Sequence, residues 1–193
     1  MKGFAREIWI SVVVIGLLAV LVCGVYPATV WVLGRVLFPR QAAGSLVTHG
    51  KQVAGSSLLA REFPGARYFH PRASAAGVGY DTSHSGGTNW GPLSARFLAA
   101  VRERVSAYRE ENGLDFNALV PGDAVTASAS GLDPHISVEN AGIQAVRVAA
   151  ARGLTLDAVL SKIEKHTEGR TLGVLGRPRV NVLMLNLDLD GAP

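Results

Sequence analysis

Cysteine is almost absent from this chain of 193 residues, which contains one, Cys23. A single thiol excludes an internal disulfide framework and a zinc site built from cysteines. Charge is sparse at 18% of residues, with a net excess of +4. No block of five or six Lys or Arg occurs, so the footprint of a nucleic-acid partner is missing. The familiar catalytic signatures are missing as well. There is no phosphate loop of the form Gly-x-x-x-x-Gly-Lys-Ser/Thr, no His-Glu-x-x-His, no Cys-x-x-Cys and no Gly-x-Ser-x-Gly. An Asp-Lys-Thr-Gly-Thr phosphorylation sequence is also lacking. The histidines, His49, His70, His84, His135 and His166, include no pair at the helical i, i+4 spacing of a metal site. No internal repeat is evident.

One long uncharged run dominates what is there. Ile8 to Gly34 carries no charge over about 27 residues, where a helix needs about 20 to cross a hydrocarbon core. Three readings compete for it: a transmembrane anchor, a cleaved signal peptide and a buried core helix. Lys2 and Arg6 fit the positive start of a signal peptide, but the apolar stretch is far longer than the usual one and no Ala-x-Ala site follows. A lipoprotein reading of Cys23 meets the bulky Val22. A core helix is rarely apolar all round. Trp9, Tyr26 and Trp31 suit a membrane–water interface, and the anchor is the favoured reading. Pro27 is expected to bend the helix or mark its exit from the hydrocarbon. Arg35, Arg40 and Lys51 follow the span as Lys2 and Arg6 precede it, so charge alone does not orient it.

The organisation expected is a tail over 1–7, a span over 8–34, a connector over 35–40 and a soluble α+β (α/β-like) domain over 41–193. Residues 40–56 read as a connector or short strand, and Arg67-Tyr68-Phe69 as a short strand. Residues 70–91, rich in Gly, Ser, Ala and His, read as a long loop. Spacings of three and four from Leu93 through Phe97, Leu98, Val101, Val105 and Tyr108 predict a helix over Leu93–Asn112. A second helix is predicted from the cap Ser137 to Arg152 with Gly153 as stop, and a third over Leu156–His166 capped by Thr155. Arg179–Leu189, apolar on both alternating faces, reads as an interior strand.

Two loops merit chemical scrutiny. In Ser85-Gly86-Gly87-Thr88-Asn89 the glycines allow backbone N–H groups to approach a ligand or neighbouring chain, or simply make a turn. The small-residue run Val125 to Ser137, through Ser130, Gly131 and Asp133, leads into a helix N-terminus that suits an anion or only tight packing. Ser85, His84 and Asp133 also allow an anchored extracytoplasmic serine hydrolase as the alternative function, with Ser130 as another nucleophile. An ion-gathering domain is a third idea that the +4 charge does not favour.

Set pieces along the whole chain resemble the C subunit of the Kdp potassium-transporting ATPase. They are Gly44-Ser45-Leu46, Gly55-Ser56, Phe63, Tyr68-Phe69, Ser85-Gly-Gly-Thr-Asn89, Val120-Pro121 and Val125-Thr-Ala-Ser128. The most distinctive are Ser130-Gly-Leu-Asp-Pro-His-Ile-Ser137, Gln144 with Arg147-Val-Ala149, Arg179-Val-Asn-Val-Leu183 and Leu185-Asn-Leu187. The chain departs from the family at Ala60-Arg61, where Gly-Gln is usual, at Arg72-Ala73-Ser74-Ala75, where Arg-Pro-Ser-Ala is, and at Thr88, where Ser is. The resemblance implies a non-catalytic accessory subunit of an ATP-driven potassium uptake complex in the bacterial inner membrane. It implies an assembly factor and catalytic chaperone that raises the pump's ATP affinity.

The partners implied are a channel-like potassium-binding subunit, a P-type ATP-hydrolysing subunit, a small single-helix subunit and membrane lipid. ATP and K+ are handled by the complex, with no cofactor held strongly by this chain. The N-terminus is expected inside and the soluble domain outside. Interaction or nucleotide-affinity candidates carried over are Ser85, Gly86, Gly87, Asn89, Ser130, Gly131, Asp133, Gln144, Arg147 and Asn181. A direct nucleotide role for Gln144, like the glutamine of ABC-transporter signature loops, requires the opposite orientation. Gly16, Ala19, Cys23 and Gly24 are the candidate small positions for helix packing in the bilayer.

Overall fold

A computed structural model describes residues 2–50 and 52–191. The chain divides into two compact units, Met1–Ser45 and Leu46–Pro193. Lys51, one of the positive residues after the span, lies outside the described residues.

The first unit is helical. Helix α1 (Lys2–Ala19) passes through a π-helical turn, Val20–Val25, into α2 (Tyr26–Leu37), and α3 (Pro39–Ala42) follows. The apolar helix Gly3–Leu37 has 35 residues. At 1.5 Å per residue it is about 50 Å long, well beyond a hydrocarbon core of about 30 Å. Residues 2–7 and 35–37 belong to these helices as well. Proline does not end the helix. The wide π turn immediately before Pro27 gives its ring room, and Tyr26 N–H bonds back to the carbonyl of Leu21. Thr29 Oγ1 donates to the Val25 carbonyl at 2.8 Å in the same region. At the far end the Arg35 guanidinium lies 5.3 Å from the Trp31 ring centre, a pairing of cation and aromatic face suited to an interface. Gly16, Ala19 and Gly24 are uncovered by other parts of the chain.

The second unit is α+β. Strands β1 (Leu46–His49) and β2 (Gln52–Ser56) form an antiparallel hairpin with an irregularity between Val47 and Thr48. A three-stranded antiparallel sheet follows in the order β3-β5-β4, from β3 (His135–Ser137), β4 (Thr167–Glu168) and β5 (Arg179–Asn181). Helices α4 (Ala95–Glu111), α5 (Gly122–Val125), α6 (Val138–Arg152), α7 (Leu156–Lys165) and α8 (Val182–Leu189) complete it. The core joins α6, α7, α8 and the sheet through Val148, Val159, Ile163, Val180, Leu183 and Leu185, with Phe69 and Ile136 between them.

The caps of the second and third predicted helices are where chemistry puts them. Ser137 accepts from Asn140 N–H, Thr155 accepts from Ala158 N–H, and Gly153 takes the left-handed conformation with φ 66°. Two expectations are corrected. Arg67-Tyr68-Phe69 is a turn entering an extended segment, not a strand. Arg179–Leu189 is a strand only to Asn181 and then the helix α8. A short run that is apolar all round fits a buried helix as well as a buried strand, and Asn181 decides it by capping the Met184 N–H at 3.1 Å. The helix predicted over Leu93–Asn112 is α4, in which Tyr108 is the buried residue, while Leu93 precedes it and is 91% exposed.

Candidate functional site

Residues 66–76 run through the domain as irregular backbone, and polar side chains from three helices hold them. Asn186 of α8 reads the peptide groups of Phe69: its Oδ1 accepts from the N–H at 2.9 Å and its Nδ2 donates to the C=O at 2.9 Å. Gln144 of α6 does the same to the next residue. Its Oε1 accepts from His70 N–H at 2.7 Å and its Nε2 donates to His70 C=O at 3.1 Å. In extended chain, successive peptide groups point to opposite sides. Two side-chain amides thus stand in for the missing neighbouring strands. Gln144 also donates to Asn140 Oδ1 at 2.9 Å and accepts from Arg147 Nη2 at 3.0 Å. A carboxamide offers two acceptor and two donor positions, and all four are filled in a side chain 2% exposed.

Arg147, one turn further along α6, serves the same segment. Its Nη1 donates to the carbonyls of Ala66 at 2.7 Å and Tyr68 at 3.0 Å, and its Nε to Asn112 Oδ1 at 3.1 Å. Burial lowers its pKa, opposed by Glu111 and Tyr108. The Tyr108 hydroxyl donates to Asn140 Oδ1 at 2.8 Å, and burial, helped by Asp123 and opposed by Arg147, pushes its pKa upward. Glu111 meets the His70 ring at 2.7 Å, and that bond holds its carboxyl below the usual value of 4.5.

The two glycine-bearing loops meet each other. Ser85 Oγ and Gly86 N–H both donate to the Ser130 carbonyl at 2.9 Å. A Cβ on Gly87 would stand 2.7 Å from the Ala129 carbonyl oxygen. A Cβ on Gly131, at φ +69°, would stand 2.6 Å from Ala76 N and 2.7 Å from Gly86 O. The close approach these glycines permit is to the chain's own backbone. Ser74 ties the loops from below, donating to the Gly131 carbonyl at 2.7 Å and accepting from Tyr80 N–H at 2.8 Å. Tyr80 donates to the Arg72 carbonyl at 2.9 Å, and its pKa is pushed up to about 12, first by burial and then by Glu62. Asn89 sits further along at φ 51° in the left-handed region. Asn181 is apart from both clusters, donating to the Ser57 carbonyl at 2.8 Å while capping α8.

An anion at the N-terminus of α6 is present, and it is the chain's own Asp123. The carboxylate accepts from Ser137 N–H at 2.8 Å, Ser137 Oγ at 2.9 Å and Asn140 Nδ2 at 3.1 Å. Beside it lies a cleft of about 460 Å³, lined among others by Arg72, Asp133, His135, Glu139 and Arg179. Asp133 accepts from His135 N–H at 3.0 Å and pairs with Arg72 at 3.3 Å. Burial raises its pKa, but the His135 bonds and the charges of His135 and Arg72 outweigh burial and leave it lowered. The residues of the hydrolase alternative have other partners. His84 Nδ1 pairs with Asp81 at 2.7 Å, the Ser85 hydroxyl is spent on Ser130, and Asp133 serves Arg72 and His135. Among the described residues no group of three or more His, Cys, Asp or Glu is placed to hold a metal ion.

The candidate site residues read from sequence did not include Arg72, Ser74, Asp123, Asn140 or Asn186. Asn186 carried a readable signal, since an amide inside an apolar run must find partners when buried. The others are ordinary polar residues whose partners lie far along the chain.

One helix long and apolar enough to cross a membrane, followed by an α+β domain, is the architecture of a chain with a single candidate membrane span. The family described as K+-transporting ATPase, c chain, matches residues 8–191. A protein of Mycobacterium tuberculosis named potassium-transporting ATPase KdpC subunit is 54% identical over 166 residues, 86% of this chain and 88% of its own. Proteins of the same name from Nitratidesulfovibrio vulgaris and Myxococcus xanthus are 52% and 51% identical, over 93% and 86% of this chain and 91% and 78% of theirs. The chain belongs to the KdpC family, the C chain of potassium-transporting ATPases.

Replacing Gln144 by Ala should cost about 3 kcal/mol or more, because it leaves several buried groups unpaired at about 1–3 kcal/mol each. Ser85→Ala, at an exposed hydroxyl, should stay within about 1 kcal/mol. Urea unfolding of the detergent-solubilised chain measures both. Because the Glu111 pKa is lowered in the folded state, its contribution is complete above 4.5 and is lost as pH falls from there through the lowered value. A Glu111→Gln variant should therefore lose stability less steeply over that acid range in pH-dependent melts.

Proposed function

We propose that this chain is a non-catalytic accessory subunit that assembles with a channel-like potassium-binding subunit and a P-type ATP-hydrolysing subunit, and also with a small single-helix subunit. In this reading it acts as a catalytic chaperone, raising the apparent ATP affinity of the hydrolysing subunit. The N-terminus is cytoplasmic and the soluble domain extracytoplasmic, in a bacterial inner membrane. The relatives' names place those proteins in a potassium-transporting ATPase.

The observation that carries the mode of action is the saturation of Gln144. All four of its hydrogen-bonding positions are used inside the domain, so a nucleotide contact through it would require the Phe69–His70 segment to be released. Influence on ATP is then conformational. A subunit that docks more tightly on one state of the pump shifts nucleotide affinity by linkage, typically 5–150-fold.

The docking surface favoured for the partner subunits is formed by the outer face of α4 and the segment that follows it, residues 114–120. Phe116 and Leu119 are 85% and 90% exposed, and a cleft of about 290 Å³ beside Phe116 is lined by Val101, Val105 and Arg109. Arginine and glutamate alternate around this face, at Arg102, Glu103, Arg109 and Glu110, as suits a protein surface of mixed charge.

Phe116→Glu with Leu119→Glu should reduce co-purification with the other subunits and raise the ATP concentration for half-maximal hydrolysis by about 5-fold or more. Melting of the isolated variant should be unchanged. Normal assembly and normal ATP response of that variant would reject this face. Protease cleavage after Phe38 in spheroplasts, but not in sealed inside-out vesicles, is the result expected of an extracytoplasmic domain.

A further inference from the structure

Strands β4 and β5 are antiparallel neighbours paired at Glu168 and Arg179. A hairpin of two to five residues would join them. The chain instead makes an excursion over 169–178. It is a built turn. Thr171 and Leu175 exchange backbone hydrogen bonds of 2.9 Å in both directions, and Gly173 N–H donates to the Arg170 carbonyl at 3.1 Å. Its tip is apolar and uncovered, with Leu172, Val174 and Leu175 exposed by 87%, 72% and 58%. Leu172 holds φ 55°, a left-handed conformation rarely adopted by such a residue. A loop needed only for connection would place glycine or asparagine there.

The charges carried by the excursion itself have one sign, while Glu168 precedes it and Arg177 also lines the cleft that holds Asp123, Asp133 and Glu139. Arg170, Arg177 and Arg179 lie in or beside the excursion, and 169–178 contains no Asp or Glu. Arg179 is paired with Glu168 at 2.9 Å. Arg170 and Arg177 have no salt-bridge partner among the described residues. An apolar tip with an arginine collar complements the boundary between acyl chains and anionic headgroups. The mixed charges around α4 lack that character. Residues 38–45 connect the apolar helix to the domain, and at most about 3.5 Å per residue keeps the domain near a bilayer surface by connectivity alone.

We infer that the 169–178 turn is a second, reversible membrane contact, with Leu172, Val174 and Leu175 entering the interface and Arg170 and Arg177 binding anionic lipid headgroups. The inference rests on the membrane span and is independent of the subunit reading and of which leaflet is met. Two weak attachments on one chain reinforce each other, the span supplying a high local concentration of lipid for the turn.

The test uses the full chain with Cys23→Ser and one new cysteine, Val174→Cys, carrying an environment-sensitive fluorophore. It is reconstituted into phosphatidylcholine vesicles with or without phosphatidylglycerol, and brominated acyl chains serve as quencher. Quenching of native Trp9 and Trp31 verifies the span separately. The expected result is a blue-shifted, bromine-quenched probe in the phosphatidylglycerol vesicles, with a probe at Val78→Cys unquenched. Arg170→Gln and Arg177→Gln should each lower the quenched population about fivefold, and Leu172→Asp should abolish it. A Val174 probe that stays water-exposed in both vesicles overturns the inference. So does a blue shift that needs the other subunits and is not bromine-quenched, which would assign the turn to a protein socket.

Discussion

The pairing of two side-chain amides with the backbone at Phe69 and His70 is the constraint on which the domain is built. A buried peptide group without a partner costs on the order of 1–3 kcal/mol. An extended segment with no strand beside it presents such groups on both sides. Asn186 satisfies one residue and Gln144 the next, so the segment is fixed between α8 and α6. Phe69 can then be fully buried in the core, and Arg147 can gather the carbonyls of Ala66 and Tyr68. The position of the 70–91 loop follows, because its first residues leave from this clamp.

The same economy governs the residues that looked available for ligands. Glycines at 87 and 131 let two loops touch backbone to backbone, where a Cβ would collide. The anion-binding end of α6 is filled by Asp123, and the hydroxyl of Ser85 by a carbonyl of the facing loop. Features that resemble a binding site in one dimension are halves of internal contacts in three.

Local rules of the chain read well from sequence. The caps Ser137 and Thr155 and the stop at Gly153 depend on neighbours a few residues away, and the structure has them in those roles. Misreadings arose where a distant partner decides. Arg179–Leu189 is apolar on every side because it is buried, and neither helical nor extended period survives in such a run. The α4 stripe has clear helical spacing, yet spacing says only that a face is apolar, not that this chain covers it. The Gln144 network joins residues separated by up to 74 positions, and no local pattern announces it. Family motifs contain Gln144, Arg147 and Asn181, without showing what they touch.

Where polar side chains such as Gln144 are used internally, exposed apolar area is one remaining means of influence. A coupling of about 1–3 kcal/mol between two states of a partner is typical of allosteric systems. At about 25 cal/mol per Å² it corresponds to roughly 40–120 Å² of apolar surface buried in one state and not in the other. A single aromatic side chain buries about 150–250 Å². Phe116 alone is therefore large enough to report a change in a neighbouring subunit, provided the contact is made in one state only. The tether makes such a small contact sufficient, because it replaces a diffusional encounter with an intramolecular one. On the proposed reading, the buried polar groups hold the shape of the domain and any coupling would reside in which surface finds its partner and when.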